Sequence, residues 1–599
     1  MDLHFTNQTA TEQEREAVDS VLGLAEGEVS GRAARERRHL LLPTLHVVQK
    51  QIGWISHGAL NYVSERLSIP PAEAYGVASF YALLSTTPQP PVVVHVCDDI
   101  ACKTRGADQL CAKLESGFPN SGHATWKRSP CLGLCDHAPA ALFQITNGDD
   151  FTLAPATAES ILAHLNNPTG KHANELARTL APSLQRRGLG EVLLSRVGIA
   201  DPESLDDYRA HGGYEALRRA LHIGQAEVIR EVGDALLTGR GGAAFPTAVK
   251  WKPVAEAPEL PHYVVCNADE SEPGTFKDRV LMEGDPFAIV EAMTIAGFAC
   301  AAEKGYLYIR GEYPEATRLL QNAIDQARLR GFLGEDILGR GVRFGIEIRR
   351  GAGAYICGEE TALLESIEGK RGEPRNKPPF PVRVGLFGKP TAINNVETLA
   401  NVLPILIHGG AAYAETGRER STGTRLFCLS GCVERPGVYE LDYGVTLREA
   451  LSEAGGVRDG RPLQAILLGG AAGVFVRPDE LDMPLTLEGA RAAKATLGSG
   501  VIMVFDDTID LKPILARIAA FFRDESCGQC VPCRVGTVRQ EEALHRLLHC
   551  AEQGNEIALL DALDRAMRDA SICGLGQTAG SAVSSAIHRL RLFEGTQNV

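Results

Sequence analysis

The chain has 599 residues, of which 44% are hydrophobic and 23% are charged, and its formal net charge is −14. This composition is typical of a folded globular protein, and the length predicts about four domains. The negative charge and the lack of a Lys/Arg run argue against nucleic acid or an anionic membrane surface as the main partner. No apolar stretch is long enough to cross a membrane, and the polar N-terminus lacks a signal-peptide core, so we expect a cytoplasmic protein without membrane insertion.

Hydrophobic periodicity divides the chain into six segments and predicts a multidomain α/β protein. Residues 1–90 read as an N-terminal helical segment, and residues 91–165 as a small α/β domain that begins with the strand PVVVHVC. Residues 166–220 are polar and read as a linker. Residues 221–420 form a large α/β domain with the strands HYVVCNADE and KGYLYIRGEY. Residues 421–508 are rich in short strands, and residues 509–599 are helical.

The first group of cysteines has the spacing of cluster ligands. There are 15 cysteines in the chain, and an odd number in a reducing compartment argues against a disulfide framework. Cys97 and Cys102 are followed by Cys131 and Cys135, with Gly133 between the last two. Four thiolates are what a [2Fe–2S] cluster needs. They also suit zinc, so the spacing favours iron–sulfur without excluding zinc.

The second group of cysteines lies in the C-terminal helical segment. Cys527, Cys530 and Cys533 are separated by two-residue gaps, and Cys573 follows 40 residues after Cys533. Three close thiolates and a distant fourth are the arrangement of a [4Fe–4S] cluster. Zinc is a poor alternative for such a run.

A glycine-rich loop, TGRGGAAFPTAVKW, spans residues 238–251. Gly239, Gly241 and Ala244 match the G-x-G-x-x-G/A dinucleotide fingerprint, but a helical segment precedes the loop instead of a strand. A plain turn is at least as common as a binding loop. Glycines let backbone N–H groups approach a phosphate or a flavin closely, and Arg240 and Lys250 could add positive charge.

Four further motifs carry polar side chains that suit a nucleotide. The motifs NADESEPG (267–274) and GAGAYICGEE (351–360) bring five carboxylates, which are either solvated charges, metal ligands or partners for ribose hydroxyls. Lys377 and Phe380 in KPPFP suit an adenine or form a rigid turn. The motif NNVET (394–398) could hold a phosphate or cap a helix.

These motifs together carry a specific resemblance. Residues 221–599 resemble the NADH-binding flavoprotein subunit of respiratory complex I and its relatives, through GRGGAAFPTAVKW, NADESEPGTFKDR, GAGAYICGEETAL, KPPFP, INNVETL, ESCGQCVPCRVG and SICGLG. Residues 30–165 resemble the thioredoxin-like [2Fe–2S] subunit of the same complex, through LLPTLHVVQKQIGWIS, YGVASFY and the four cysteines. Such fusions occur in NAD-linked formate dehydrogenases and NAD-reducing hydrogenases. The chain departs from the usual glycines at Ala244, Ala248 and Ser271.

The resemblance implies a thioredoxin-like ferredoxin domain, a Rossmann-like FMN domain, a β-grasp-like (SLBB) domain and a helical bundle that holds the [4Fe–4S] cluster. The FMN contacts that it implies are Gly239, Arg240, Gly241, Gly242, Lys250, Asn267, Asp269, Gly358, Asn394, Asn395 and Thr398. The NAD(H) contacts that it implies are Phe245, Glu270, Glu272, Tyr355, Glu359, Glu360, Lys377 and Phe380.

The function implied is that of a diaphorase subunit, in which a hydride passes directly between NAD(H) and FMN and no side chain acts as a catalytic acid or base. The resemblance favours a separate molybdenum- or tungsten-containing formate dehydrogenase subunit as the partner. A nickel–iron hydrogenase or a complex I-type NADH dehydrogenase is the alternative. A hypothesis from another class is an assembly or zinc scaffold whose cofactor sites are relics.

Overall fold

The computed structural model describes residues 6–23, 31–119, 122–166, 192–549 and 555–594. It has three main sheets with helices around them, so the predicted multidomain α/β class is confirmed. In these ranges, no helix has both the length and the apolarity that crossing a membrane requires.

The N-terminal segment is helical, as the periodicity predicts. Its five helices are Glu12–Leu22, Arg32–Glu36, Leu41–Ile52, His57–Leu67 and Pro71–Ala78. The helix Leu41–Ile52 buries Leu41, Leu45 and Val48 on one face and ends at Gly53, whose left-handed φ of 92° stops the helix. Tyr81, just after the last helix, donates a hydrogen bond to Ser366 Oγ at 2.7 Å. The segment is therefore anchored to the large α/β domain.

The next domain contains a four-stranded sheet of order β2-β1-β3-β4. Its strands are Val92–Cys97 (β1), Ala124–Ser129 (β2), Ala141–Ile145 (β3) and Phe151–Leu153 (β4). Its helices are Ile100–Lys103, Ala107–Gly117 and Ala158–Asn166. Cys102 lies in the short helix Ile100–Lys103. Asp99 caps that helix by accepting the N–H of Ile100 at 2.8 Å.

The segment predicted as a linker, residues 166–220, is described only in part. Its first part, residues 167–191, lies outside the described residues. The second part contains the helices Leu205–Ala210 and Glu215–Ile223. The buried carboxylate of Glu291 holds this part by accepting hydrogen bonds from Tyr208 Oη at 2.6 Å, Tyr214 N at 2.7 Å and Leu217 N at 2.9 Å.

The large domain is built on a parallel sheet of order β7-β6-β5-β8. Its strands are His262–Ala268 (β5), Ala302–Ile309 (β6), Gly345–Arg350 (β7) and Thr391–Asn395 (β8). Its helices are Gln225–Asp234, Thr247–Ala255, Lys277–Gly284, Pro286–Ala299, Pro314–Leu329, Glu360–Ile367, Val396–Ala400, Val402–His408 and Gly410–Ala414. Because the strands are parallel, the motifs that follow them meet at one edge of the sheet.

The remaining chain forms a β-rich domain and a helical bundle, as predicted. The strands Gly417–Arg418 (β9) and Ser421–Thr422 (β10) pair with each other. A five-stranded sheet of order β12-β11-β15-β13-β14 contains Thr424–Gly431 (β11), Gly437–Asp442 (β12), Leu463–Leu468 (β13), Val474–Val476 (β14) and Val501–Asp506 (β15). Its helices are Leu447–Glu453 and Leu487–Ala492. The bundle helices are Leu511–Glu525, Val531–His549, Glu556–Ala570, Gly574–Thr578 and Ser581–His588.

Candidate flavin and iron–sulfur sites

Two of the predicted motifs are joined at the carboxyl edge of the parallel sheet. Asn267, near the end of β5, donates from Nδ2 to the carbonyl of Gly358 at 2.8 Å and accepts the N–H of Asp269 at 3.1 Å. A Cβ at Gly358 would lie 3.4 Å from the carbonyl oxygen of Asp269, so the two segments lie close together here. The acidic loop after β5 and the GAGAYICGEE segment after β7 therefore form one wall.

The glycine-rich loop of residues 238–246 closes on itself and lies beside the end of β8. The N–H of Gly239 donates to Phe245 O at 2.9 Å. The N–H of Arg240 donates to Thr398 Oγ1 at 2.8 Å. A Cβ at Gly241 would lie 3.1 Å from the Cβ of Asn395. Ala244 takes the left-handed φ of 52°, which explains why the related loops have glycine there.

The side chain of Arg240 does not supply charge to this loop. Its guanidinium is fully buried and donates to Tyr443 Oη at 3.0 Å and to the carbonyls of Thr422 at 2.8 Å and Thr424 at 3.2 Å. These acceptors belong to the neighbouring β-rich domain. Arg240 therefore joins the two domains, and its Nη1 also donates to Thr238 Oγ1, at the start of the loop, at 3.1 Å.

Asn394 and Asn395 also have protein partners. Trp251 donates from Nε1 to Asn394 Oδ1 at 2.8 Å. Asn395 caps the helix Val396–Ala400 by accepting the N–H of Glu397 at 3.0 Å, and its Nδ2 donates to Asp278 Oδ2 at 2.6 Å. Of the two readings that the sequence left open for Asn395, the side chain adopts the helix cap.

Glu359, Glu360, Lys250 and Lys377 form one charged cluster. Lys377 Nζ lies 2.9 Å from Glu359 Oε1 and 3.2 Å from Glu360 Oε1, and Lys250 Nζ lies 3.2 Å from Glu360 Oε2. Burial alone would raise the pKa of Glu360, but the two lysines more than offset it, so the pKa is lowered and the carboxylate stays charged. Lys250 also lies 5.8 Å from the ring centroid of Phe245.

Two aromatic rings near this cluster are open to solvent. Phe245 is 46% exposed and Phe380 is 56% exposed, although residues of this size are usually more buried. Phe245 lies near the end of the glycine-rich loop of residues 238–246, and Phe380 follows Lys377 by three residues. Exposed aromatic faces beside paired charges suit the stacking of a nucleotide ring.

Glu270 and Glu272 lie in the acidic loop but are already satisfied by protein donors. Glu270 is buried and accepts the N–H groups of Asp278 at 2.8 Å and Arg279 at 2.9 Å, and burial raises its pKa to about 8. Glu272 accepts the N–H of Ala472 at 3.0 Å and the hydroxyl of Ser499 at 3.0 Å, and burial raises its pKa to about 7. The structure uses both carboxylates to hold loops and domains together.

Tyr355, another predicted NAD(H) contact, faces the helical bundle. Its N–H donates to Glu525 Oε2 at 2.8 Å, and its ring centroid lies 5.1 Å from that of Phe521. Both partners belong to the helix Leu511–Glu525. Tyr355 thus joins the loop after β7 to the bundle.

Asp269 gives a direct test of whether this edge fits a bound flavin. Its Oδ2 is buried without a hydrogen-bond partner among the described residues. Burial raises its pKa well above the usual range, and the nearby Arg310 opposes this effect only in part. A buried carboxyl oxygen that lacks a partner fits a ligand that supplies hydrogen-bonding groups.

The four cysteines of the first group converge in one buried place. Cys131 Sγ lies 3.4 Å from Cys135 Sγ, and the N–H of Gly133 points at Cys131 Sγ at 3.4 Å. The thiol of Cys97 interacts with those of Cys102 and Cys131. No group of three or more Cys, His, Asp or Glu in the described ranges is gathered as tightly as a single metal ion requires. Four buried thiols that lie together supply the ligands that a two-iron cluster needs.

The cysteines of the second group also lie close to one another. The thiol of Cys533 is electrostatically coupled to those of Cys527, Cys530 and Cys573. Burial raises the pKa of Cys533 to about 12 and that of Cys573 to about 11, so a bound metal is needed to keep them deprotonated at neutral pH. A Cβ at Gly576 would lie 2.9 Å from the Cβ of Cys533, so only glycine lets the two segments meet.

Sequence reasoning missed the residues that join the two kinds of site. Arg279 and Arg310 contact both the acidic loop and the loop of the first cysteine group. The available signal was the position of Arg310 directly after β6, at the same sheet edge as Asn267. Nothing in its spacing indicates a partner in another domain.

Fold and site together define a flavin- and iron–sulfur-dependent NAD(H) oxidoreductase, and comparison with known proteins agrees. Family models match as Nuo51 FMN-binding domain over residues 232–404, thioredoxin-like [2Fe-2S] ferredoxin over 28–166, NADH-ubiquinone oxidoreductase-F iron-sulfur binding region over 513–592, and SLBB domain over 425–497. These matches confirm FMN, a [2Fe–2S] cluster and a [4Fe–4S] cluster as the cofactors.

The chain belongs to the family of F-type subunits of NADH-quinone oxidoreductase. It is 44% identical over 402 residues to an F-type subunit of Rhizobium meliloti, in a match that covers 67% of this chain and 96% of the relative. It is 43% identical over 389 residues to the NADP-reducing hydrogenase subunit HndC of Solidesulfovibrio fructosivorans, covering 65% and 79%. A chain in the crystal structure of an air-oxidized NAD+-reducing [NiFe]-hydrogenase matches with a TM-score of 0.78, 34% identity and 93% coverage of both chains.

Proposed function

We propose that this diaphorase subunit is the NAD(H)-side subunit of an NAD-reducing hydrogenase complex in the cytoplasm. The observation that carries this proposal is the hydrogenase chain that matches over 93% of its own length and 93% of this chain. That span extends beyond the 67% that the Rhizobium meliloti relative covers. The partner favoured by the motif resemblance, a molybdenum- or tungsten-containing formate dehydrogenase, has no support among these comparisons and becomes the second candidate.

One observation still favours the formate dehydrogenase candidate. All four cysteines of the first group are buried together, as a bound cluster requires. The family resemblance implies that the fused counterparts in some NAD-reducing hydrogenases have lost theirs. A complex I-type NADH dehydrogenase is supported by the NADH-quinone oxidoreductase relatives. The three candidates differ in the metal of the partner, and this difference can be measured.

For the nucleotide sites, we propose a narrower set of side-chain contacts than the resemblance implies. The backbone of residues 239–242, Asp269 and Lys250 would hold FMN. Glu360, Lys377, Phe245 and Phe380 would hold NAD(H). When bound, FMN exchanges a hydride with NAD(H) and single electrons with the clusters. The protein's own residues stack and orient the rings, and the buried acidic loop limits the access of water.

We propose Cys97, Cys102, Cys131 and Cys135 as the [2Fe–2S] ligands, and Cys527, Cys530, Cys533 and Cys573 as the [4Fe–4S] ligands. The domain division that goes with this proposal is 1–90, 91–165, 166–220, 221–420, 421–508 and 509–599. The buried, mutually close thiols support the two ligand sets.

The experiment is affinity purification of the tagged chain from its native host, followed by metal analysis and activity assays. Nickel together with hydrogen-dependent NAD reduction supports the hydrogenase proposal. Molybdenum or tungsten with formate-dependent NAD reduction rejects it in favour of the second candidate. Reduction of an artificial dye by NADH, measured on the isolated chain, tests the diaphorase activity independently of the partner.

A further inference from the structure

The loop of the first cysteine group meets the acidic loop at one buried arginine. Arg310 directly follows β6 and is 2% exposed. Its Nη1 donates to the carbonyl of Glu270 at 2.5 Å, and its Nη2 donates to the carbonyl of Cys131 at 2.6 Å. One planar guanidinium thus bridges the flavin-site loop and the backbone of a cluster ligand.

Neighbouring contacts make this junction tight. The hydroxyl of Tyr313 donates to Glu270 Oε2 at 3.1 Å. The same hydroxyl would lie 2.1 Å from a Cβ at Gly133, so the cysteine loop packs directly on Tyr313. Arg279 donates from Nε to the carbonyl of Gly133 at 3.0 Å. The two loops therefore keep a fixed separation.

Arg310 makes fewer ion pairs than Arg279 among the described residues. Arg279 pairs with both oxygens of Asp136 at 2.8 Å and with Glu283 at 3.1 Å. Arg310 pairs with one carboxylate, Glu312 Oε1 at 2.9 Å. Arg310 Nε and Glu312 Oε2 are buried without hydrogen-bond partners among the described residues.

We propose that Arg310 is a positioning residue that holds the [2Fe–2S] centre against the flavin-site loop and stabilises its reduced form electrostatically. Reduction by one electron adds one negative charge to the centre, with no bond made or broken. A buried positive charge nearby lowers the free energy of that more negative state, because the interior screens charges weakly. This inference rests on the proposed role of Cys131 as a ligand.

The test is a redox titration of the full chain, in which the electron paramagnetic resonance signal of each cluster reports its reduced fraction. R310Q removes the charge, so we expect the ratio of reduced to oxidised [2Fe–2S] centre at a given potential to fall about tenfold. That change lowers the midpoint potential by about 59 mV for a one-electron couple. The [4Fe–4S] signal should keep its potential. R310K keeps the positive charge, so its [2Fe–2S] potential should lie close to that of the wild type.

R350Q is the matched control, because Arg350 makes the same kinds of contact away from the cysteine loop. It ends β7, donates to the carbonyl of Gly311 at 2.7 Å and pairs with Asp150 at 2.9 Å. Its [2Fe–2S] potential should match that of the wild type. A role of arginine in stability alone would affect both variants alike.

E312Q should shift the [2Fe–2S] midpoint potential in the opposite direction. It tests the proposal even if R310Q loses the cluster. Removing the carboxylate takes away the ion-pair partner of Arg310 and one negative charge near the centre. The [2Fe–2S] potential should therefore rise. An unchanged potential in E312Q, or in R310Q with full cluster content, would overturn the proposal. The ligand assignment fails separately, through retention of the [2Fe–2S] signal in C131A.

Discussion

At the scale of single residues, Glu360 is the clearest candidate contact for NAD(H). It lies between Lys250 and Lys377 at 3.2 Å from each, so its carboxylate is fixed and charged. E360A should raise the KM for NADH roughly tenfold or more, the loss expected for one charged hydrogen bond of about 1.5–3 kcal/mol. The FMN content should stay unchanged. Steady-state kinetics with an artificial dye and flavin absorbance measure both quantities.

E365A is the control for this prediction. Glu365 lies on the same helix as Glu360 and also pairs with two cations, Lys370 at 2.8 Å and Arg375 at 2.5 Å. Its removal should leave the KM for NADH near that of the wild type. An unchanged KM in E360A would contradict the placement of NAD(H) at the charged cluster.

Glu272 predicts a pH dependence of stability. Its pKa rises from 4.5 to about 7 on folding, because burial outweighs the donors Ala472 N and Ser499 Oγ. The folded state therefore binds the proton more tightly than the unfolded state, and this contribution to stability is lost as the pH rises from about 4.5 to about 7. In E272Q, the melting temperature should fall less between pH 5 and pH 8 than in the wild type. Equal falls in the two proteins would refute the prediction.

At the scale of elements, the turn of the first cysteine group depends on Gly133. Its φ of 71° is left-handed, and an added Cβ would lie 2.1 Å from Tyr313 Oη. G133A should therefore cost more than the roughly 1–2 kcal/mol of the backbone conformation alone, and it should lower the [2Fe–2S] content. Iron analysis and thermal unfolding measure the two effects.

Gly122 offers a matched control in the same domain. Its φ is 70°, but nothing lies within 4 Å of an added Cβ. G122A should show the backbone cost with full cluster content. Equal cluster loss in both variants would mean that the contact with Tyr313 has no special role.

At the scale of the whole molecule, the [2Fe–2S] domain contacts the flavin domain, the β-rich domain and the helical bundle. Arg279 pairs with Asp136 from the flavin domain, Arg105 donates to the carbonyl of Gly431 at 3.0 Å in the β-rich domain, and Arg517 of the bundle lies 3.4 Å from Asp99 Oδ2. The cluster domain is therefore packed against the rest of the chain. In the second group, Cys530 is less buried than Cys527, Cys533 and Cys573. This difference favours the [4Fe–4S] site as the point of contact with a partner.

The two cysteine groups should therefore have different roles. The intact chain should contain about six iron atoms, and C530A should remove only the [4Fe–4S] signal, whereas C131A should remove only the [2Fe–2S] signal. We expect turnover with the catalytic partner to be lost in C530A and largely retained in C131A, because the less buried second group is the expected point of contact with the partner. Equally complete loss in both variants, or zinc at either site, would contradict this prediction.

Local periodicity and spacing were enough to predict the segment order, the main helices and strands, and the grouping of the cysteines. They also placed the acidic motif NADESEPG after a strand, but only the structure shows that parallel pairing brings the ends of β7 and β8 to the same edge. They could not predict where side chains point. Arg240, Glu270 and Arg310 all lie in or beside recognisable motifs, yet the carbonyls bound by Arg240 and Arg310 include some more than 170 residues away in the chain. The folded structure was needed to show that these side chains join domains, because burial forces a charged group to find its partner wherever the fold brings one near.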